Sequence, residues 1–117
     1  MGRPVVHFEI AAPDAEGAAE FYRQLFEWDI NHEPSMDYWM VNTGQGDFGG
    51  GIMKPQGPEQ KMVTLYVLVD DLNAYLAKAE SLGGKTLVPP MPIPGHGSFA
   101  MFADPAGNAI GLYKGQE

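Results

Sequence analysis

The first residues able to do chemistry share one face of a short strand. Val5-Val6-His7-Phe8-Glu9-Ile10 alternates strictly, with Val6, Phe8 and Ile10 on one side and His7, Glu9 and Ala11 on the other. Side chains two residues apart on a strand face stand ~7 Å from each other. A carboxylate at that range raises an imidazole pKa and fixes its tautomer, so His7 and Glu9 form a candidate acid–base pair. The plainer reading is a polar wall holding water, since an inward carboxylate without a partner costs several kcal/mol. His96 stands between Gly95 and Gly97 on an expected loop, either exposed or able to close over a ligand. Gly49-Gly50-Gly51 is no phosphate loop, because neither Lys-Ser nor Lys-Thr follows and no helix begins there. These glycines are expected to admit a neighbouring backbone or to widen a cavity mouth. The chain has no Cys, which excludes disulfides and thiolate metal sites, and no Ser-His-Asp or Cys-His arrangement stands out.

The elements that must carry these residues come in a repeated order. A strand over 5–10 leads to a helix capped by Asp14 and running to about Glu27, with Ala18, Phe21, Tyr22, Leu25 and Phe26 on its apolar stripe. Strands follow at Trp28–His32, Tyr38–Thr43 and Phe48–Lys54. After Pro55–Gln60 the order returns. A strand at Val63–Val69 precedes a helix capped by Asp70 or Asp71 and ended by Gly83-Gly84. Strands at Lys85–Val88, Phe99–Ala103 and Ala109–Lys114 complete it, the last two joined by an Asp104–Asn108 turn. Strand–helix–three strands, twice, reads as an internal duplication. The matched ends Gly51-Ile52-Met53-Lys54 and Gly111-Leu112-Tyr113-Lys114 support it. The expected organisation is one domain of 117 residues, with module one at about 4–54, a linker at about 55–61 and module two at about 62–115.

In this order and spacing the chain resembles the vicinal oxygen chelate superfamily of glyoxalases, bleomycin-resistance proteins and extradiol dioxygenases. The resemblance rests on Val6-His7-Phe8-Glu9-Ile10, Ala19-Glu20-Phe21-Tyr22 with Leu25-Phe26 and Trp28, Val69-Asp70-Asp71-Leu72, Leu82-Gly83-Gly84 and Asp104-Pro105-Ala106-Gly107-Asn108. It implies an α+β fold of two βαβββ modules, forming a curved mixed sheet around a cavity with the helices outside. On that fold the apolar faces of Val6, Phe8, Ile10, Val63, Leu65 and Val67 meet the helices. His7, Glu9, Thr64 and Tyr66 then line the cavity, and Tyr38, Met53, His96 and Tyr113 are further ligand-binding candidates. Seven Met residues suit an adaptable pocket and a plain core equally. The superfamily's metal-ligand positions, carried over by the resemblance, fall on His7, Gly51, Thr64 and Gly111. Only His7 is a good ligand for zinc, nickel or iron, so no metal and no other cofactor is expected. Glyoxalase and dioxygenase chemistry that depends on a metal is not expected either.

Seven Lys plus Arg against fifteen Asp plus Glu give a net charge of −8, which repels nucleic acid and anionic lipid. No apolar run approaches the ~18 residues of a membrane span. Met1-Gly2-Arg3-Pro4 lacks the charged and apolar regions of a signal peptide, so the expected location is cytoplasmic. The expected function is metal-independent binding of a small molecule. The alternative is a lyase, isomerase or related enzyme acting on a small carbonyl or oxygenated metabolite through His7 and Glu9. A homodimer is the expected assembly.

Overall fold

The computed structural model describes residues 2–44, 48–55 and 63–116. Their elements are β1 (Val5–Ala11), α1 (Ala15–Phe26), β2 (Asp29–Glu33), β3 (Tyr38–Asn42) and β4 (Gly49–Met53), then β5 (Val63–Leu68), α2 (Leu72–Ser81), β6 (Lys85–Ile93), β7 (Gly97–Ala103) and β8 (Ala109–Lys114). The chain forms two compact units, one of residues 6–64 and one of residues 1–5 with 65–117. Except for Pro55, the linker expected over 55–61 lies outside the described residues.

Each unit repeats one plan. In the first, the strands lie in the order β2-β3-β4-β1, with β1 parallel to β4 and the other pairs antiparallel. In the second, the order is β6-β7-β8-β5, with β5 parallel to β8 and the rest antiparallel. The α+β reading as two βαβββ modules therefore holds, and the two units share one strand order and one set of strand directions. Both helix starts are capped as the sequence reads. Asp14 Oδ1 accepts from the Gly17 N–H at 3.0 Å, and Asp71 Oδ1 accepts from the Ala74 N–H at 3.0 Å. Gly83, at φ +102°, follows the end of α2.

The helix faces needed correcting. Ala15 and Ala19 are the residues α1 buries, with Ala18 and Tyr22 packed beside them against Ile30, Trp39, Val41 and Ile52. Phe21 and Leu25 are 59% and 57% exposed. At ~100° per residue they point away from the small-residue face that meets the sheet. Phe26 is also exposed, beyond the sheet, where it stacks on Tyr22 and Trp28. In the second unit Val67 joins the core with Val69, Leu72, Leu76, Ala100 and Leu112, whereas Val63 and Leu65 are exposed. The apolar face of β5 is thus covered only over its C-terminal half.

Strand β6 runs on through Pro89 and Pro90 to Ile93, where the sequence reads an end at Val88. It lies at one end of its unit's strand order, and its register with β7 shifts twice, between Thr86, Val88 and Met91. An outermost strand tolerates prolines because their missing N–H need not serve a ladder, and bulges absorb the misfit.

Gly50 and Gly51 of β4 act differently from the expectation, whereas a backbone carbonyl, that of Val41, approaches Gly49. An aromatic ring, rather than a backbone, comes close to each of the first two. Phe8, opposite Gly50 in register, lays its ring where a side chain at Gly50 would begin. The same ring contacts Trp28 and Phe48, at centroid distances of 6.0 and 5.9 Å. Phe8→Ala is therefore expected to cost ~3 kcal/mol, since no side chain on Gly50 can fill the space. Leu25→Ala, on the stripe the sequence assigns to the core, should cost much less, because within the chain that side chain is exposed. Urea unfolding of the two variants measures the difference.

Candidate functional site

Strand register puts the chemistry of the first unit on the sheet face opposite α1. His7 lies across from Gly49 and Glu9 across from Gly51 on the parallel neighbour β4. On the far side of β4, Gly49 faces Asn42 and Gly51 faces Met40. Tyr38 is two residues from Met40 on β3 and shares its face. With no side chain at Gly51, the Tyr38 ring swings across that position. Its hydroxyl arrives between the two candidates, 2.7 Å from His7 Nε2 and 3.0 Å from Glu9 Oε2.

The proton count gives this chain a direction. The phenol has one hydrogen and donates it to Glu9. Its oxygen must then accept from His7, which sets the proton on Nε2 and leaves Nδ1 as the unprotonated nitrogen. All three residues are half-buried. Burial pushes the His7 pKa below its ordinary 6.5. The sequence reading had Glu9 raising it through a direct pairing. The phenol bridges the two, and the direction is downward because the ring loses water.

Each of the remaining candidates has its own setting. Met53 is buried at the end of β4, opposite Ala11. Thr64 is buried on β5, and its Oγ1 has no hydrogen-bond partner among the described residues. Tyr66 is buried, with its ring over Gly111, its register partner on β8. His96 is exposed in the β6–β7 turn, and its carbonyl accepts a hydrogen bond from the Tyr113 hydroxyl. A hollow of about 380 Å³ in the second unit lies on the helix side, lined by Val67, Tyr75, Ala79, Leu82 and Phe102.

The residues do not fit a metal. A ligating side chain at Gly51 would fall inside the Tyr38 ring, and one at Gly111 inside the Tyr66 ring. Among the described residues no three His, Cys, Asp or Glu side chains form a metal-holding group. Sequence reasoning found the glycines and both tyrosines but not their relation, because ring placement follows from register. It also passed over Asn31 and Asn42. Their alternation with Ile30 and Val41 was legible, but not the strands they face.

Comparison with known proteins matches residues 5–112 to the model of the Glyoxalase/Bleomycin resistance protein/Dioxygenase superfamily. The anthracycline biosynthesis protein DnrV of Streptomyces peucetius is 27% identical over 92% of this chain and 45% of its own length. DauV of Streptomyces sp. (strain C5), of the same description, is 26% identical over the same shares. The chain thus spans less than half the length of these relatives. Methylmalonyl-CoA epimerase from Mycobacterium tuberculosis superposes with a TM-score of 0.71 at 16% identity, covering 97% of this chain and 88% of that one. At that identity the likeness is one of fold.

The direction of the His7 shift makes a titration prediction. A lowered folded pKa means that the fold favours the neutral ring. Its contribution to stability is in place above the unfolded pKa of ~6.5 and is lost as pH falls through the folded value. Proton NMR of the His7 ring should give a midpoint below 6.5. A midpoint above it would mean that the carboxylate prevails.

Proposed function

The chain belongs to the Glyoxalase/Bleomycin resistance protein/Dioxygenase superfamily, and from that premise we propose that it binds a small oxygenated molecule without a metal. The observation that carries the proposal is the His7–Tyr38–Glu9 chain, set where a metal ligand at position 51 would otherwise project. A half-buried imidazole, phenol and carboxylate offer both donors and acceptors to a carbonyl, enol or phenol oxygen. The description of DnrV as an anthracycline biosynthesis protein supports a small organic ligand over a macromolecular one. A net charge of −8 disfavours nucleic acid and anionic membranes as partners. No helix among the described residues is long and apolar enough to cross a membrane, and cytoplasmic location remains part of the proposal.

One feature favours a second reading, proton transfer on a small carbonyl compound by His7 and Glu9. Burial keeps the imidazole neutral near pH 7, the state a general base requires. Among the described residues beside His7 and Glu9, the Tyr38 phenol is the group placed to act on the substrate oxygen, and a phenol is a weak electrophile. Binding is therefore the reading preferred.

Titration calorimetry with hydroquinone and similar oxygenated aromatics tests this. Saturable binding, unchanged by prior dialysis against chelator, is expected without turnover. His7→Ala and Glu9→Gln should weaken it by about tenfold or more while leaving the urea midpoint in place. Conversion of a small-carbonyl library that His7→Ala abolishes would establish the enzyme reading instead.

We also propose a homodimer. Phe21 and Leu25 expose large apolar surface along α1, which a partner would cover. Sedimentation should show a dimer at micromolar concentration, and Leu25→Glu should shift it toward monomer. A wild type monomeric at high concentration overturns the proposal.

A further inference from the structure

Strand register carries two rows of side chains across the open face of the first unit. One runs His7–Gly49–Asn42–Asp29 and the other Glu9–Gly51–Met40–Asn31, each over β1, β4, β3 and β2 in turn. Both rows are interrupted by glycine at β4, but the two gaps differ. The Gly51 gap holds the Tyr38 ring. Among the described residues, a first side-chain carbon above Gly49 would meet only the Val41 carbonyl, at 3.0 Å. Among the described residues no side chain closes the passage from His7 over Gly49 toward β3 and β2. Strands lie ~4.8 Å apart, so Asn42 stands ~10 Å from His7 and Asp29 ~14 Å.

The passage ends in a hollow of about 270 Å³ lined by Asp29, Asn31, Met40, Asn42, Phe48 and Gly49. That is just below the usual range of a whole drug-sized ligand, so it suits one arm of a ligand. Its polar groups are partly committed already, which fixes what each still offers. Asn31 Nδ2 donates to Asp29 Oδ1 at 3.2 Å, leaving Asp29 Oδ2 and Asn31 Oδ1 as acceptors. Asn42 Oδ1 accepts from the Gly44 N–H at 2.8 Å, leaving Nδ2 as a donor. Acceptors on β2 thus face a donor on β3, one strand spacing away. Hydroxyl groups both donate and accept, so neighbouring hydroxyls satisfy this pattern. The exposed Met40 side chain adds an apolar contact suited to the C–H face of a ring. The Asp29 carboxylate disfavours an anion.

We propose that the hollow is a subsite for a neutral polyhydroxylated ring, such as a sugar, carried by the ligand whose oxygenated group His7, Tyr38 and Glu9 hold. This deepens the binding reading above and rests on it. The ligand is then bipartite: the two ends lie ~10 Å apart, joined across Gly49.

Three probes separate the two parts: hydroquinone, methyl β-D-glucoside, and 4-hydroxyphenyl β-D-glucoside, which joins them. Chemical shifts on the folded chain report where each binds. The joined compound is expected to perturb His7 and Asn42 together and to bind about tenfold tighter than hydroquinone. Asn42→Ala and Asp29→Asn should each erase that gain and leave hydroquinone binding unchanged. Equal affinity of the glucoside and hydroquinone, or a gain that survives both substitutions, overturns the subsite. If methyl glucoside perturbs Asn42 while hydroquinone perturbs nothing near His7, the hollow stands as a site and the anchoring role of His7–Tyr38–Glu9 fails. Silence from all three compounds overturns both.

Discussion

A side chain needs room for its first carbon, and strand β4 gives that room up at three consecutive positions. Because Gly50 has no side chain, Phe8 lies flat on the sheet and connects β1 to Trp28 and Phe48. Because Gly51 has none, Tyr38 crosses from β3 and its hydroxyl reaches β1. Gly49 keeps the space beside His7 open. Glycine in a strand interior weakens the strand through backbone entropy and lost packing. Here neighbouring rings supply the packing, and the cost is partly offset by aromatic contact on both faces.

The second unit repeats the device once. Tyr66 covers Gly111 directly across the β5–β8 pair, whereas Tyr38 reaches Gly51 diagonally from β3. Similar exchanges of a strand side chain for a neighbouring ring thus occur in both modules, at positions where the superfamily resemblance places metal ligands. Filling both with phenol changes what the face can do. A divalent ion polarises oxygen as a Lewis acid, while a phenol flanked by imidazole and carboxylate can only orient it and exchange protons. The two arrangements are mutually exclusive at position 51, since one ring excludes the other's side chain.

Electrostatics on this face follow from partial burial. His7 loses water but keeps a hydrogen bond to a neutral partner, so its neutral form is favoured. The Tyr38 phenol also bonds the Glu9 carboxylate and so links the ring to it. The outer ion pairs contribute little by comparison. Arg3 with Asp70, and Arg23 with Glu16 and Glu20, involve exposed carboxylates. Arg23 matters more through its donation to the Ile30 carbonyl, which ties the end of α1 to β2.

What the sequence determined by itself was everything carried by local pattern. Period-2 alternation placed His7 and Glu9 on one face and Phe8 on the other, and Asp14 and the Asp70-Asp71 pair marked the helix starts. The repeated order of elements was enough for the two-module fold. It also marked positions 51 and 111 as unable to ligate a metal. Register and packing lay beyond it. The apolar stripe of α1 was misread because three alanines form its sheet-facing side, and a stripe of small residues looks weaker in sequence than the phenylalanine and leucine beside it. The extent of β6 was misread because prolines end most strands, and only its outermost place in the strand order excuses them. Tyr38 could be picked as a candidate, but its place between His7 and Glu9 depends on which residues of β1, β3 and β4 stand opposite one another. The two hydrogen bonds that result join residues 31 and 29 apart in sequence, and only the folded chain decides them.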